Sequence, residues 1–340
     1  MGPDIAAPTG VTLVTGASGF VGRTLVAHLL DRGWDLRTFG RRPLPGADAA
    51  RVDHVVGDVR DPRGVAEAMQ GVEVVFHLAA RITLLTEDPD AWAVNVDGAG
   101  TVAEAARTAG VRRMVHCSSV HAFDASRCRT HLDEYSPRSG EGSPLYDRTK
   151  AAGEEAVRRS IDAGLDATIV NPTGIIGPND PELSRVNRLL LSAARGHLVA
   201  ATGGGFDFVD VRDVVDGTVA ALGAGRTGEN YLLSGHRSSA VRLTRMAAGL
   251  NGHVGPLVAL PTRLARRLSP VGERIGRRFG TDSFTPAAIG ALLDDPTVDH
   301  GRATAELGYQ PRPLEDTVRD LVWWFTETGL VRPRRTRRRT

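Results

Sequence analysis

Short apolar runs alternate along the first half of the chain with stretches whose apolar residues recur at helical spacing. The first run, 11–15, is rich in β-branched residues and lies between two glycines. Val21, Leu25 and Leu29 then follow at intervals of four residues up to Gly33. This order predicts a buried strand, a glycine-rich turn and a helix that ends at the last glycine.

The same alternation continues as far as residue 170. Further strands are predicted at 35–39, 52–56, 72–78, 111–118 and 167–170. Helices are predicted after the Asp61-Pro62 pair, over 90–108 and over 144–164. Strands that alternate with helices form a parallel sheet covered by helices on both faces. The sequence therefore predicts an α/β fold, a doubly wound parallel sheet of the Rossmann type.

The pattern after residue 178 predicts a smaller C-terminal α/β lobe. Helices are predicted over 183–196, 243–252 and 314–325. We expect the last helix, which bears Trp323 and Trp324, to dock on the core, and the Pro- and Gly-rich stretch 171–178 to form an irregular loop. An arginine-studded amphipathic stretch over 260–280 is typical of a lid or surface helix, with a membrane-surface helix as the alternative.

Composition narrows the class of protein. Of the 340 residues, 41% are hydrophobic and 24% are charged, which is ordinary for a globular protein with a large core. Cys117 and Cys128 make no disulfide framework and match no metal-ligand spacing. The N-terminus lacks the features of a signal peptide, and no apolar run approaches the roughly 18 residues of a membrane span. We therefore expect a cytoplasmic protein without a metal site or an integral membrane segment.

The basic character of the chain is confined to its end. Six arginines and no acid lie in residues 332–340, whereas the formal net charge of the whole chain is +2, so the rest of the chain is acidic. Basic runs of this kind are usually disordered and solvated. Because no aromatic residue interleaves with these arginines and no DNA-binding motif precedes them, we expect no nucleic-acid partner.

The glycines between the first strand and its helix have the spacing Gly-x-x-Gly-x-x-Gly. Gly16 permits a tight turn, Gly19 lets the backbone approach a pyrophosphate, and Gly22 lets the helix pack close to the sheet. The N-terminus of the helix attracts an anion. This unit predicts a dinucleotide site.

The end of the second strand bears on which dinucleotide is bound. Units that bind NAD commonly carry an acid there for the ribose 2′-hydroxyl, whereas this chain has Arg41 and Arg42. Because a guanidinium suits a 2′-phosphate, we expect NADP rather than NAD. After the third strand, Asp58 is placed to accept a hydrogen bond from the adenine amino group, and Asp61 is placed to cap a helix.

One lysine occurs among the 42 basic residues, and it is Lys150. It follows Tyr146 by four residues, so both side chains are expected on one face of a helix, a turn apart. A neighbouring ammonium lowers the pKa of a phenol and suits it to acid–base catalysis, whereas an ordinary surface pair is the alternative. Ser119, at the end of the fifth strand, is placed to donate a hydrogen bond to a substrate oxygen.

Taken in order, these segments resemble the extended short-chain dehydrogenase/reductase family. They are most similar to its dihydroflavonol 4-reductase-like branch, which includes 3β-hydroxysteroid dehydrogenase-like and nucleotide-sugar epimerase-like members. The resemblance covers residues 10–330 and rests on 15–22, 57–61, 77–80, 95–98, 117–119, 146–150, 171–178, 208–214 and 306–311.

The resemblance implies a catalytic set of Ser119, Tyr146 and Lys150. Tyr146 would transfer the proton, Lys150 would bind the nicotinamide ribose and tune the tyrosine, and Ser119 would orient the substrate oxygen. It implies that the dinucleotide is held by Gly16, Ser18, Gly19, Phe20, Val21, Arg41, Asp58, Val59, Ala79, Ala80, Tyr146, Lys150, Pro172 and Thr173. One departure is Phe123, where many relatives, especially those acting on sugars, carry Tyr.

We therefore expect an NADP-binding Rossmann domain over 10–178 and a mostly substrate-binding lobe over 179–330, with a return segment near 205–222 that rejoins the Rossmann core. Residues 1–9 are expected to be a flexible N-terminus, and 331–340 a disordered arginine-rich tail.

Three functions are compatible with these features. The first is an NADP-dependent ketone reductase or secondary-alcohol dehydrogenase that acts on a small, apolar or polyketide-like molecule. The alternatives are a nucleotide-sugar epimerase or dehydratase with tightly bound NAD, and a cofactor-sensing protein without chemistry. Relatives are often dimers through the helices near 90–110 and 145–163, so a homodimer is expected.

Overall fold

The structure is a computed structural model that describes residues 5–128, 130–180, 182–197, 200–202, 205–254, 258–260 and 296–332. Beyond residue 260, the arginine-studded stretch predicted over 260–280 lies outside the described residues, as does the arginine-rich tail beyond residue 332.

Fourteen strands and ten α-helices occur among the described residues. The strands are β1 (Val11–Thr15), β2 (Leu36–Gly40), β3 (Asp53–Val56), β4 (Val72–His77), β5 (Arg113–Cys117), β6 (His131–Leu132), β7 (Ala167–Pro172), β8 (Gly174–Ile176), β9 (Ala200–Thr202), β10 (Gly205–Asp210), β11 (Asn230–Leu233), β12 (His236–Ser239), β13 (Val258–Leu260) and β14 (Thr297–Val298). The α-helices are α1 (Phe20–Leu30), α2 (Pro62–Ala68), α3 (Pro89–Trp92), α4 (Ala99–Thr108), α5 (Leu145–Asp162), α6 (Arg185–Ala194), α7 (Val211–Ala224), α8 (Ala240–Leu250), α9 (Gly301–Leu307) and α10 (Leu314–Glu327).

Seven strands form one parallel sheet in the order β11-β7-β5-β4-β1-β2-β3. The predicted doubly wound parallel sheet is thereby confirmed, and all six predicted strands are present. The seventh, β11, was not predicted, because its four residues carry little pattern and its place comes from pairing with β7. The strand order reverses between β1 and β4, and ligands of such sheets bind outside the carboxyl ends of the strands at that point.

The chain divides into two compact units. The first comprises Met1–Thr173, Arg212–Leu233 and Val298–Gln310, and the second comprises Gly174–Val211, Ser234–Thr297 and Pro311–Thr340. The return to the first unit therefore lies at Arg212–Leu233 rather than near 205–222, because β10 pairs with β8 and β12 in the second unit. A second return, Val298–Gln310, had no counterpart in the predictions.

In the first unit, one face of the sheet packs on α2, α4 and α5. Leu13, Val75 and Met114 are buried there against Val102 and Val157. Because alternate strand residues share a face, Thr15, His77 and His116 lie on this same face, two residues further along their strands. The apolar core therefore ends in a row of polar side chains at the carboxyl edge of the sheet.

In the second unit, the three-stranded sheet β12-β10-β8 accompanies α6, α8 and α10. The predicted loop 171–178 is partly regular, since β8 forms within it by pairing with β10. The prediction that the last helix docks on the core is confirmed, since α10 buries Leu314 and Leu321 in the apolar cluster of this unit, although the side chain of Trp323 is 64% exposed. Val318, Val322 and Phe325 already occupy the buried face of α10 at helical spacing, which leaves Trp323 on the outer face.

Within the described ranges, none of the helices is both long enough and apolar enough to cross a bilayer.

Candidate active site

The turn between β1 and α1 has the geometry of an anion cradle. Gly16 has a φ of +71°, and a Cβ there would lie 2.6 Å from the backbone nitrogen of Ala79. A Cβ on Gly22 would lie 2.2 Å from the carbonyl oxygen of Gly16. Gly19 is the N-cap of α1 and makes no side-chain cap, and the first turn holds no acid. The exposed backbone N–H groups and the helix dipole therefore favour a pyrophosphate, so these residues fit a dinucleotide.

The adenosine end of such a ligand would meet β2 and β3. Arg41 is exposed directly after β2. The Asp58 carboxylate accepts hydrogen bonds from Arg60: from Nε at 3.0 Å and from Nη2 at 2.8 Å. This bonding to Arg60 lowers the pKa of Asp58, and the charge of Arg41 acts in the same direction. Asp61 caps α2 by accepting from the backbone N–H of Arg63, which confirms the predicted cap.

Tyr146 and Lys150 lie one turn apart in the first half of α5, which begins after Pro144 as predicted. Lys150 is only 4% exposed, and its Nζ donates to the carbonyl oxygen of Cys117 at 3.2 Å. Burial lowers the pKa of Lys150 below its usual value, while Cys117 and Glu154 act against that shift. The chain's one ammonium is thus held at the carboxyl end of β5.

Ser119 follows β5 and is buried two residues after Cys117, whose carbonyl oxygen accepts the hydrogen bond from Lys150. Its Oγ accepts from the backbone N–H of His121 at 3.3 Å and so begins the short 3-10 helix Val120–Ala122. The rings of His121 and Tyr146 meet edge to face, with centroids 5.5 Å apart. Nδ1 of His121 lies 3.1 Å from Oδ1 of Asp147, so His121 joins the Ser119 segment to α5 through both Tyr146 and Asp147.

A row of buried polar residues crosses the sheet below Lys150. Thr15, His77 and His116 are neighbours by register on β1, β4 and β5, and Nδ1 of His77 lies 2.6 Å from Oγ1 of Thr15. The two imidazole rings stack with centroids 5.2 Å apart. Burial, and then the charge of Lys150, lowers the pKa of His77 to about 3, and burial lowers the pKa of His116 well below its usual value. Both imidazoles are therefore neutral at physiological pH.

Asn95 belongs to segment 95–98, one of those that carry the family resemblance, but the sequence predicts no specific role for its side chain. It lies in a π-helical turn, Ala93–Gly98, between α3 and α4. Its Nδ2 donates to Oγ1 of Thr149 at 2.9 Å and to the carbonyl oxygen of Arg81 at 2.9 Å. The backbone carbonyl oxygen of Asn95 would lie 2.2 Å from a Cβ added to Gly153. Glycine at 153 thus lets α5 approach this turn closely and sets the depth of Lys150.

The remaining predicted residues follow the same edge of the sheet. Ala79 donates its N–H to Oγ1 of Thr15 at 3.2 Å, which ties the end of β4 to β1. Pro172 ends β7 and Thr173 follows it, both buried, on the strand next to β5. The structure thus brings Pro172, Ser119, Lys150, Ala79 and Gly16 to the carboxyl ends of the successive strands β7, β5, β4 and β1. Arg41 and Asp58 lie further along, at β2 and β3.

Comparisons with known proteins show what the whole chain is similar to. A family model described as the NAD dependent epimerase/dehydratase family matches residues 12–234. The chain is 36% identical over 326 residues to sterol demethylase protein B of Methylococcus capsulatus, across 94% of this chain and 99% of that protein. It is 27% identical over 345 residues to a 3-beta-hydroxysteroid dehydrogenase of Mycolicibacterium neoaurum, across 96% and 94%. The crystal structure of gox2253 matches with a TM-score of 0.82 at 34% identity, across 95% of this chain and 99% of that one.

The neutral, buried histidines generate a prediction about acid stability. Because the pKa of His77 is about 3 in the folded chain and near its ordinary value when unfolded, the unfolded state binds more protons below about pH 6.5. The contribution of His77 to the free energy of unfolding is therefore fully present above about pH 6.5 and is lost as the pH falls towards 3. Between pH 7 and pH 5 we expect a loss of about 2 kcal/mol from this residue.

Urea unfolding at a series of pH values measures this effect. His77→Asn keeps a polar atom for Thr15 but does not titrate, so its unfolding free energy should fall less steeply with acid than that of the wild type. Equal slopes for His77→Asn and the wild type would contradict the buried, neutral state of His77.

Proposed function

This chain belongs to the NAD-dependent epimerase/dehydratase family, and we propose that it is an NADP-dependent oxidoreductase that interconverts a ketone and a secondary alcohol. Membership confirms the family predicted from the sequence and makes the protein an NAD(P)-dependent enzyme. One observation carries the proposal. The chain's only lysine is buried one turn after Tyr146, and it donates a hydrogen bond to the carbonyl oxygen of Cys117, which precedes Ser119 by two residues.

The proton steps follow from these three side chains. In reduction, the Tyr146 hydroxyl gives its proton to the carbonyl oxygen as the carbon becomes a carbinol, and in oxidation the tyrosinate takes that proton back. The ammonium of Lys150 stabilises the tyrosinate by its charge. Since Oγ of Ser119 accepts from His121, the Ser119 hydroxyl uses its own hydrogen to hold the substrate oxygen. A bound nicotinamide dinucleotide supplies or accepts the hydride.

The dinucleotide would be held by the glycine turn at 16–22, by Ala79 and Ala80, and by Lys150. Two features support NADP over NAD: β2 is not followed by an acid, and Arg41 is exposed at its end. Two cationic side chains in succession, Arg41 and Arg42, suit a 2′-phosphate better than a ribose hydroxyl.

An apolar substrate is supported by the segment that follows β4. Ile82 is 62% exposed and Leu85 is 51% exposed, only a few residues after Ala79 and Ala80. Large exposed apolar side chains beside a polar site favour a ligand with an apolar body. The names of the two reported relatives refer to sterol and steroid substrates, which agrees with this class.

The family description itself favours one alternative, a nucleotide-sugar epimerase or dehydratase that retains NAD. The buried Phe123 weakens that alternative, since its ring packs under the guanidinium of Arg138, 4.2 Å from the ring centroid, and offers no hydroxyl. The dinucleotide carried through purification separates the two functions. Retained NAD would favour the sugar enzyme, whereas a protein that needs added NADPH would favour the reductase.

Two further proposals concern the state of the protein. Cys117 and Cys128 are both free thiols, which suits the reducing cytoplasm. The expected homodimer through the helices near 90–110 and 145–163 remains a prediction.

The central test of the function is substitution of the phenol. Tyr146→Phe should lower NADPH-dependent turnover of a ketone panel by a factor of about 10² to 10⁴, because the proton donor is lost while the ring stays. Tyr135→Phe is the matched control, since that side chain is 84% exposed, and it should keep wild-type turnover. Dinucleotide binding should survive in both. Equal turnover in Tyr146→Phe and the wild type would end the proposal.

Dinucleotide preference is tested separately at Arg41. Arg41→Ala should weaken NADPH binding by about 10- to 100-fold, the value of a charge-assisted contact, and leave NADH binding almost unchanged. Fluorescence titration with both dinucleotides measures the two affinities. Arg63→Ala, at an exposed arginine on α2, is the control and should change neither. An NADPH affinity that is insensitive to Arg41→Ala would assign the preference to another residue.

A further inference from the structure

A buried carboxylate lies on the same face of α5 as the catalytic pair. Glu154 follows Lys150 by four residues and Tyr146 by eight, so the three side chains lie along one stripe of the helix. Glu154 is fully buried, whereas the next residue, Glu155, is exposed. An anion in such a place is costly unless its charge and its oxygens are matched.

The oxygens of Glu154 are matched by two asparagines from neighbouring strands. Oε1 accepts from Nδ2 of Asn171 on β7 at 2.7 Å, and Oε2 accepts from Nδ2 of Asn230 on β11 at 2.8 Å. Nδ2 of Asn230 also donates to Oδ1 of Asn171 at 2.7 Å. The three side chains thus form a closed triangle of hydrogen bonds that fixes α5 against both strands.

The triangle continues to the substrate side of the site. The second hydrogen of the Asn171 amide goes to the carbonyl oxygen of Ser119, with an N···O distance of 2.9 Å. One asparagine side chain therefore bridges the Glu154 carboxylate and the backbone of the serine that would hold the substrate oxygen. A shift of the Glu154 carboxylate would therefore be passed to the backbone of Ser119 by Asn171 alone.

The charge of Glu154 is matched from two directions. Arg138 pairs with Oε2 from the outside, where its side chain is 37% exposed, and Arg158 reaches Asn230 rather than the carboxylate. On the inside, Lys150 lies one turn before Glu154 on the same buried stripe of α5. The other titratable groups near Lys150 are Tyr146, one turn earlier on α5, and His77, His116 and Cys117 on the strands; burial keeps both imidazoles neutral and raises the pKa of the Cys117 thiol. Among the acidic residues of α5, Glu154 is the buried one, and it lies on the side of Lys150 away from Tyr146.

We propose that Glu154 is a positioning residue of the active site: its carboxylate keeps Lys150 charged and, through Asn171, holds the backbone of Ser119. This inference rests on the proposed function for its catalytic meaning. The influence of Glu154 on the charge of Lys150 is testable without any substrate.

The single lysine makes the test direct. Incorporation of lysine labelled with ¹³C at Cε gives one side-chain signal, and its chemical shift against pH gives the pKa of Lys150 without assignment. Glu154→Gln removes the neighbouring anion, so the lysine pKa should fall by about one unit or more. Glu155→Gln, one residue away on the same helix, should leave it unchanged.

Arg138→Gln provides a test of opposite sign. It removes a cation from the far side of the carboxylate, so Lys150 becomes more strongly paired and its pKa should rise. Because Arg138 is partly exposed, Arg138→Gln is expected to fold even if Glu154→Gln does not. In that case the lysine titration of Arg138→Gln alone tests the proposal. An unchanged lysine titration in Glu154→Gln, or in Arg138→Gln where the first variant fails to fold, would overturn the proposal.

Turnover links the pairing to catalysis. In Glu154→Gln the alkaline limb of the rate profile should move to lower pH together with the lysine titration, whereas a merely structural defect would lower the rate at all pH values alike. If the lysine titration shifts but no ketone is reduced by the wild type, the pairing stands and the proposed function fails. If turnover is normal and its alkaline limb does not move in Glu154→Gln, the positioning role fails and the proposed function stands.

Discussion

A single ammonium buried between a helix and a sheet sets the constraints on this site. Taking the charge of Lys150 out of water is costly. The carbonyl oxygen of Cys117 accepts a hydrogen bond from the ammonium, and the carboxylate of Glu154 favours its charged form. Burial keeps His77 and His116 neutral, so they add no repulsion at physiological pH. The polar row at the end of the sheet and the network behind α5 thus lie on two sides of one buried lysine.

The position of that lysine also explains why distant segments meet. The close approach of α5 to the π-helical turn requires glycine at 153, and this contact fixes how deeply the helix lies against the sheet. The depth of the helix then places Lys150 at the end of β5, where Ser119 follows, and leaves Tyr146 beside His121 at the rim. The glycine turn after β1 lies at the same carboxyl edge, so one edge of the sheet brings this turn together with Tyr146 and Lys150.

Much of this was predictable from local patterns. The strand Val11–Thr15, the glycine turn, the Asp61 cap and the start of α5 depend on residues close together in the chain, and the predictions for them hold. The Glu154 network was not predictable, because its members are separated by 17 to 76 residues and meet only when β7 and β11 pair. The same holds for the contact between Asn95 and Gly153. The docking of α10 was predictable, but the exposure of Trp323 was not, because a count of apolar residues does not say which of them fill the one buried face of the helix.

The measurement that tests the account most directly is a comparison of wild-type protein with Lys150→Arg, in which the positive charge is kept but its shape is changed. Turnover with NADPH should fall by about 10²-fold or more, because a planar, forked guanidinium does not fit the site between Cys117 and Glu154. Titration with NADPH should show weakened binding in the same variant. If Lys150→Arg kept wild-type turnover and affinity, a compact buried ammonium would not be what the site depends on, and the account would be wrong.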